Sequence, residues 1–156
     1  MQKKINGATF RKMVLNGVSV EADGTYYYEN GKRIYKGLFE YEGEYYFSAE
    51  GGKLVTDVRR WVGNSNGTDV MAQKYYSFGS DGKMAYNGIH TEADGSMYYY
   101  ENGIRTYKGL FELDGEYYFA DYDGSIATSH RWVTKTGNTG YASGYYTFGA
   151  DGRLAI

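Results

Sequence analysis

Cysteine is absent from this 156-residue chain. That removes disulfides, thiolate zinc sites and cysteine nucleophiles. Proline is absent too, so turns fall to glycine, asparagine and aspartate. Tryptophan is scarce, at two residues, and so is histidine, also at two. No stretch approaches the roughly 18 consecutive apolar residues of a membrane-spanning helix. The opening MQKKINGATF has no apolar core of signal-peptide length. The chain therefore reads either as cytosolic or as an excerpt of a longer secreted protein. Net charge is only −2, so there is no basic stripe and nucleic acid is not an expected partner.

What is abundant is tyrosine, with 20 residues, and glycine, with 23; aromatic residues make up 19%. Such a chain is not disordered, because disordered chains are poor in aromatics. Self-similarity organises it. Asn16-Gly17 opens a segment that restarts 71 residues on, at Asn87-Gly88. Within the copies, ADGTYYYENG (22–31) matches ADGSMYYYENG (93–103), and YKGLFEYEGEYYF (35–47) matches YKGLFELDGEYYF (107–119). RRWV (59–62) matches HRWV (130–133), and KYYSFGSDGKMA (74–85) matches GYYTFGADGRLA (144–155). Lys12 to Gly17 resembles the end of an earlier copy. The expected organisation is a leftover segment 1–11, a first super-repeat 12–86 and a second super-repeat 87–156.

Each copy divides into three smaller units of one plan: short strand, Gly turn, aromatic strand, Gly turn, short strand. Runs of Tyr, Phe and Val over four to six residues, bounded by Gly, Asp and Asn, predict strands. Asp23-Gly24, Asn30-Gly31, Glu42-Gly43, Asp81-Gly82, Asn102-Gly103 and Asp114-Gly115 predict tight turns, where glycine accepts a positive φ. No apolar 3.6-residue period persists over about 11 residues, so no long helix is expected. One hairpin of about 20 residues is marginal in water. Stacking buries each aromatic face on its neighbour, so the expected fold is all-β, a β-hairpin solenoid of six stacked hairpins. If three hairpins complete one turn, Trp61 and Trp132 fall on one side.

The order Gly-Leu-Phe, Gly turn, Tyr-Tyr-Phe and Gly-x-Leu/Met resembles the cell-wall-binding repeats (choline-binding type, or glucan-binding YG type) of Gram-positive surface proteins. The clearest stretches are GLFEYEGEYYFSAEGGKLVT (37–56), GLFELDGEYYFADYDGSIAT (109–128), YYSFGSDGKMA (75–85) and YYTFGADGRLA (145–155). The resemblance covers about residues 12 to 156. It implies a hairpin solenoid, no catalysis, and attachment to a cell-wall polymer or glucan outside the cell, at the bacterial surface. The chain would then be an excerpt lacking its signal peptide. Other readings are a structural stalk that self-associates through open ends, and an adhesin or toxin tail for a host glycan or protein. Choline-binding repeats typically open with Gly-Trp and carry Trp-Tyr-Tyr, and two Trp rings and a Tyr ring from adjacent hairpins cage a quaternary ammonium. Here the opening position holds Val18, Leu38, Ile89 and Leu110, and the first triplets read Tyr26-Tyr27-Tyr28 and Tyr98-Tyr99-Tyr100.

Candidate ligand-binding residues cluster at the third unit of each copy. Trp61 and Trp132 precede the longest loops, 63–74 and 134–144. An indole there would pack on a sugar's C–H face while polar loop residues bond its hydroxyls; the alternative is core packing. Arg60 and Arg131, beside each Trp, and Tyr75 and Tyr145, on the following strand, complete the candidate set. In a YYY run the outer rings share one face and the middle ring takes the other. No catalytic constellation is legible. The carboxylates sit in repeating turns rather than as a pair flanking a cleft. His90 and His130 are replaced by Ser19 and Arg59 in the other copy, and no Ser–His–Asp set is suggested. Asp121-Tyr122-Asp123-Gly124 lacks the remaining ligands of a calcium loop. No metal or cofactor is expected. Asn66-Gly67-Thr68 has the form of a glycosylation acceptor.

Overall fold

The computed structural model describes residues 16–63 and 70–155, together with the backbone of two short strands at 3–5 and 8–10. The Asn66 acceptor, residues 64–68 of the GNSNGT loop and the Lys12–Leu15 match lie outside the described residues.

Sixteen short strands form seven small sheets among the described residues, all of antiparallel neighbours where the register is known. They are β1 (Lys3–Ile5) with β2 (Ala8–Phe10); β3 (Gly17–Glu21), β4 (Gly24–Glu29) and β5 (Lys32–Arg33); and β6 (Gly37–Tyr41) with β7 (Glu44–Ser48). Then come β8 (Val58–Val62) with β9 (Lys74–Phe78); β10 (Gly88–Thr91), β11 (Met97–Glu101) and β12 (Ile104–Arg105); β13 (Gly109–Leu113) with β14 (Glu116–Ala120); and β15 (His130–Val133) with β16 (Gly144–Thr147). The single helical turn among the described residues is a 3₁₀ turn at Glu50–Gly52. The fold is all-β, as the aromatic runs and missing helical period require. The pair β1–β2 falls in the segment expected to be leftover chain.

The turns follow the sequence. Asn30, Glu42, Asn102 and Asp114 take φ near +50°, each followed by a glycine at φ near +80°. Those are the paired left-handed conformations of a two-residue hairpin turn.

The protein forms two compact units, residues 1–56 with 61–74, and residues 57–60 with 75–156. In the first, β3–β5 and β6–β7 pack through Phe39, Tyr46 and Leu54, flanked by Val18, Tyr27 and Tyr41. In the second, Phe111, Ala120 and Ile126 join β10–β12 to β13–β14, with Ile89, Met97, Tyr99 and Tyr118 around them. Leu110, Phe119, Val133, Phe148 and Leu154 join β13–β14 to β15–β16. A buried side chain of this size contributes about 1.5–3 kcal/mol, which no single two-stranded ribbon gains alone.

The segments after β7, β14 and β16 each tie their hairpin to the one before. Leu54 N–H donates to Thr25 O, Ile126 N–H to Met97 O, and Leu154 N–H to Tyr117 O, at 2.8, 3.0 and 2.8 Å. Leu54, Ile126 and Leu154 also bridge Ser48, Ala120 and Phe148 of their own hairpins. The third strand of the repeating plan is thus reduced here to one residue that serves two hairpins. A glycine precedes each such segment for a steric reason. A Cβ on Gly52 would stand 2.7 Å from Arg33 Cβ, and one on Gly124 would stand 3.0 Å from Arg105 Cβ.

Candidate functional site

Alternation along a strand sends neighbours to opposite faces, and β15 applies it cleanly. Val133 is fully buried and Arg131 half-buried, while His130 and Trp132 are exposed. On β16, Tyr145 lies directly opposite Trp132, and Thr147 opposite His130. One face therefore carries His130, Trp132, Tyr145 and Thr147. The Trp132 and Tyr145 rings meet edge to face, centroids 4.9 Å apart at 67°. His130 stacks flat on Tyr145, 4.9 Å apart and only 6° from parallel. His130 Nδ1 is 3.2 Å from Thr147 Oγ1. These are favourable aromatic geometries, yet Trp132 is 44% and Tyr145 65% exposed. The result is a rigid aromatic platform with a polar rim.

Arg131 is turned away from that platform. It faces the Tyr146 side of the ribbon, where its Nη2 donates to Asp121 Oδ2 at 2.7 Å and its guanidinium lies 4.9 Å from the Phe119 ring. His130 takes the place beside Tyr145 that the candidate set left empty. The signal was present in the sequence: His130 and Trp132 are two residues apart on one strand, and so share a face.

In the first copy, Trp61 is 47% and Tyr75 53% exposed, and Arg60 is half-buried. Where the second copy has His130, the first has Arg59, whose guanidinium lies 5.8 Å from the Tyr75 ring. Arg59 Nη1 also donates to Ser77 Oγ at 3.1 Å. The indole that sequence alone could assign either to the core or to the surface is at the surface in both copies.

The tyrosine triplets are occupied from within. Arg33 lies 3.6 Å over the Tyr26 ring; its Nε donates to Tyr28 Oη at 3.1 Å and its Nη2 to Glu21 Oε1 at 2.6 Å. Tyr28 Oη donates to Glu21 Oε2 at 2.5 Å. The second copy repeats this: Arg105 lies 3.5 Å over Tyr98, with Nε on Tyr100 Oη at 3.1 Å and Nη2 on Glu92 Oε1 at 2.7 Å. Tyr100 Oη bonds both Glu92 and Ser77. Hydrogen bonds from Tyr28 and then Arg33 lower the Glu21 carboxyl below its ordinary range. Burial pushes Glu92 up, but its bonds to Tyr100, Arg105 and Ser77 outweigh that and leave it lowered. The middle rings, half-buried, flank the core clusters, Tyr27 at 4.3 Å from Phe39 and Tyr99 at 4.8 Å from Phe111, while the outer rings of Tyr26 and Tyr100 are buried. Burial, then the bond to Glu29 or Glu101, pushes both phenols up to about 12.

No protein-family model matches the chain. It is 31% identical over 131 residues, or 83% of its length, to Glucosyltransferase-I of Streptococcus downei. The chain spans about 8% of that relative. Among solved structures, alternansucrase in complex with isomaltotriose aligns with 72% of the chain and 10% of its own, at 23% identity and a TM-score of 0.50. CbpJ of Streptococcus pneumoniae aligns with 90% of the chain and 52% of its own, at 22% identity and a TM-score of 0.48. The streptococcal sequence relative and the alternansucrase fold agree with the resemblance to Gram-positive surface repeats read from the sequence.

Proposed function

We propose that the chain is a non-catalytic attachment module that binds a glucan or related cell-wall polysaccharide outside the cell. The observation that carries this reading is the exposed face of Trp132, Tyr145 and His130. A pyranose ring has an apolar C–H face and a rim of hydroxyls. An exposed ring platform with polar groups at its edge complements both. Trp61 and Tyr75, the sequence counterparts of Trp132 and Tyr145 in the first copy, are likewise exposed, and the reading counts each of them as a ligand contact. Arg131 backs the Trp132 platform from the other face of the ribbon.

The occupied triplets support a glycan over a quaternary ammonium. In the resembled choline-binding repeats, two Trp rings and a Tyr ring from adjacent hairpins cage the ammonium. Here the chain's own Arg33 and Arg105 cover Tyr26 and Tyr98. A free cation would have to displace a guanidinium that is also held by a phenol and a carboxylate.

The reading takes the six hairpins as one solenoid of two 71-residue super-repeats. The shared segments at Leu54, Ile126 and Leu154 support it. Weak sites repeated along one array raise avidity without new contacts. The similarity to Glucosyltransferase-I makes a polymer of glucose the first to try.

Co-sedimentation with insoluble glucans and purified cell walls tests the reading. The wild-type chain should pellet with one polymer class, and Trp61→Ala/Trp132→Ala should stay in solution while remaining folded. Equal pelleting of both proteins would overturn the platform, and no pelleting with any polymer would overturn the function.

A further inference from the structure

We propose that the second unit holds a further sugar-binding cleft, separate from the Trp132 platform, between β13 and the loop that follows β15. The cleft measures about 420 Å³, within the roughly 300–1,000 Å³ of small-ligand sites. Glu112, Tyr117, Lys135, Asn138 and Thr139 line it. The proposal rests on the reading of the chain as a glycan binder, and it adds a place that the residues around Trp132 do not include.

The cleft is built rather than incidental. Leu110 N–H donates to Lys135 O at 2.8 Å, fixing the loop to the strand. That approach requires glycine on the strand: at Gly109, φ is +70° and a Cβ would stand 2.7 Å from Lys135 O. The loop holds its own shape, with Thr139 Oγ1 donating to Thr136 O at 2.7 Å and accepting from Tyr141 N at 3.3 Å. Its far end is pinned by Tyr141, which meets Tyr117 edge to face at 5.1 Å.

An aromatic shelf adjoins the cleft. Tyr107 and Tyr122 stack at 4.3 Å and 21°, although Tyr122 is 79% exposed. The Lys135 ammonium that lines the cleft also lies 4.6 Å from the Tyr107 ring centroid. Tyr122 is peculiar to the second copy, since the matching position in the first is Glu50. An exposed tyrosine laid flat on another ring presents a preset C–H-binding face.

The lining chemistry selects a neutral sugar. Lys135 donates, Glu112 accepts, and Asn138 does both. Neither Lys135 nor Asn138 has a side-chain hydrogen bond or ion pair among the described residues. Lys108, at the same cleft, is held by Glu101 at 3.2 Å. With Lys108 paired to Glu101, one further ammonium, resting against the Tyr107 ring, and the Glu112 carboxylate leave the cleft no net charge to hold a phosphate or uronate.

The test is an amide-resolved NMR titration of the full chain with trisaccharides of α-1,6-, α-1,4-, β-1,3- and β-1,4-linked glucose. Wild type, Trp132→Ala, Tyr122→Ala and Asn138→Ala are compared. The proposal expects saturable shifts at Gly137, Asn138 and Thr139 that persist in Trp132→Ala. It expects about tenfold weaker binding there in Asn138→Ala, the worth of one lost hydrogen bond in a closed site. Tyr122→Ala, at an exposed position, should weaken the same site without unfolding the chain. Shifts confined to the Trp132 face, and lost in Trp132→Ala, would overturn the cleft and leave the proposed function intact. No shift with any sugar would overturn both.

Discussion

The guanidinium of Arg105 lies 3.5 Å above the Tyr98 ring while its Nη2 donates to Glu92 at 2.7 Å. Arg33 has the same relation to Tyr26 and Glu21 in the first copy. A repeated aromatic surface that suits a cation is thus filled by the chain itself.

The wild-type protein should therefore give no binding isotherm with tetramethylammonium or choline. Arg105→Ala should lose about 1–3 kcal/mol in urea unfolding, because one buried-side ion pair and one ring contact go together. Arg33→Ala should lose less than Arg105→Ala, since its pair with Glu21 is more exposed. Equal losses would show that exposure does not set the worth of these pairs.

Acid should destabilise the protein through the same network. The Glu21, Glu29, Glu92 and Glu101 carboxyls are all lowered from 4.5 in the folded state. Their stabilisation is complete above the unfolded value of 4.5 and is lost as pH falls through the lower folded values. Melting temperature against pH should drop below about 4.5 in the wild type. In Glu92→Gln the drop should be shallower. An unchanged slope would detach Glu92 from the linkage.

Alkali acts in the opposite sense. Tyr27 and Tyr99 are raised from 10.0 to about 12, first by burial and then by Glu29 and Glu101. Their stabilisation is complete below 10 and lost as pH rises through about 12. Tyrosinate absorbance should show a late phase near the folded value, reduced in Tyr27→Phe and in Tyr99→Phe. A single phase at the ordinary value would contradict their burial against Phe39 and Phe111.

Core and platform should separate by mutation. Tyr46 is 7% exposed and stacks on Phe39 at 5.8 Å, so Tyr46→Ala should cost about 3–5 kcal/mol. Trp61→Ala and Trp132→Ala remove exposed rings and should each cost less than about 1 kcal/mol. Denaturant midpoints in the reverse order would return the indoles to the core.

The hairpins were legible because their causes are local. Asn30-Gly31 and Asp114-Gly115 announce positive φ, and the Tyr and Phe runs announce strands. The division of each YYY triplet between two faces was legible for the same reason, with Tyr27 going to Phe39 and Tyr26 to the other side. The partner of Tyr26 was not legible. Arg33 reaches it across a turn, and nothing in the spacing distinguishes Arg33 from a solvated charge. Adjacency in sequence pairs Arg131 with Trp132, and strand alternation separates them for that same reason. His130 has no counterpart in the first copy, so the repeat does not single it out, although its two-residue spacing from Trp132 sets its face. The cleft beside Lys135 depends on how a loop folds back on Gly109, a contact between distant residues.

Tryptophan fluorescence during titration with glucose oligosaccharides tests the central claim most directly. Both indoles are exposed and sit at matched positions, so the account predicts an exposed-indole spectrum. It predicts a saturable change with one class of glucan oligosaccharide, a reduced change in Trp132→Ala, and none with choline. A spectrum that no oligosaccharide moves, or one that choline moves, would contradict it.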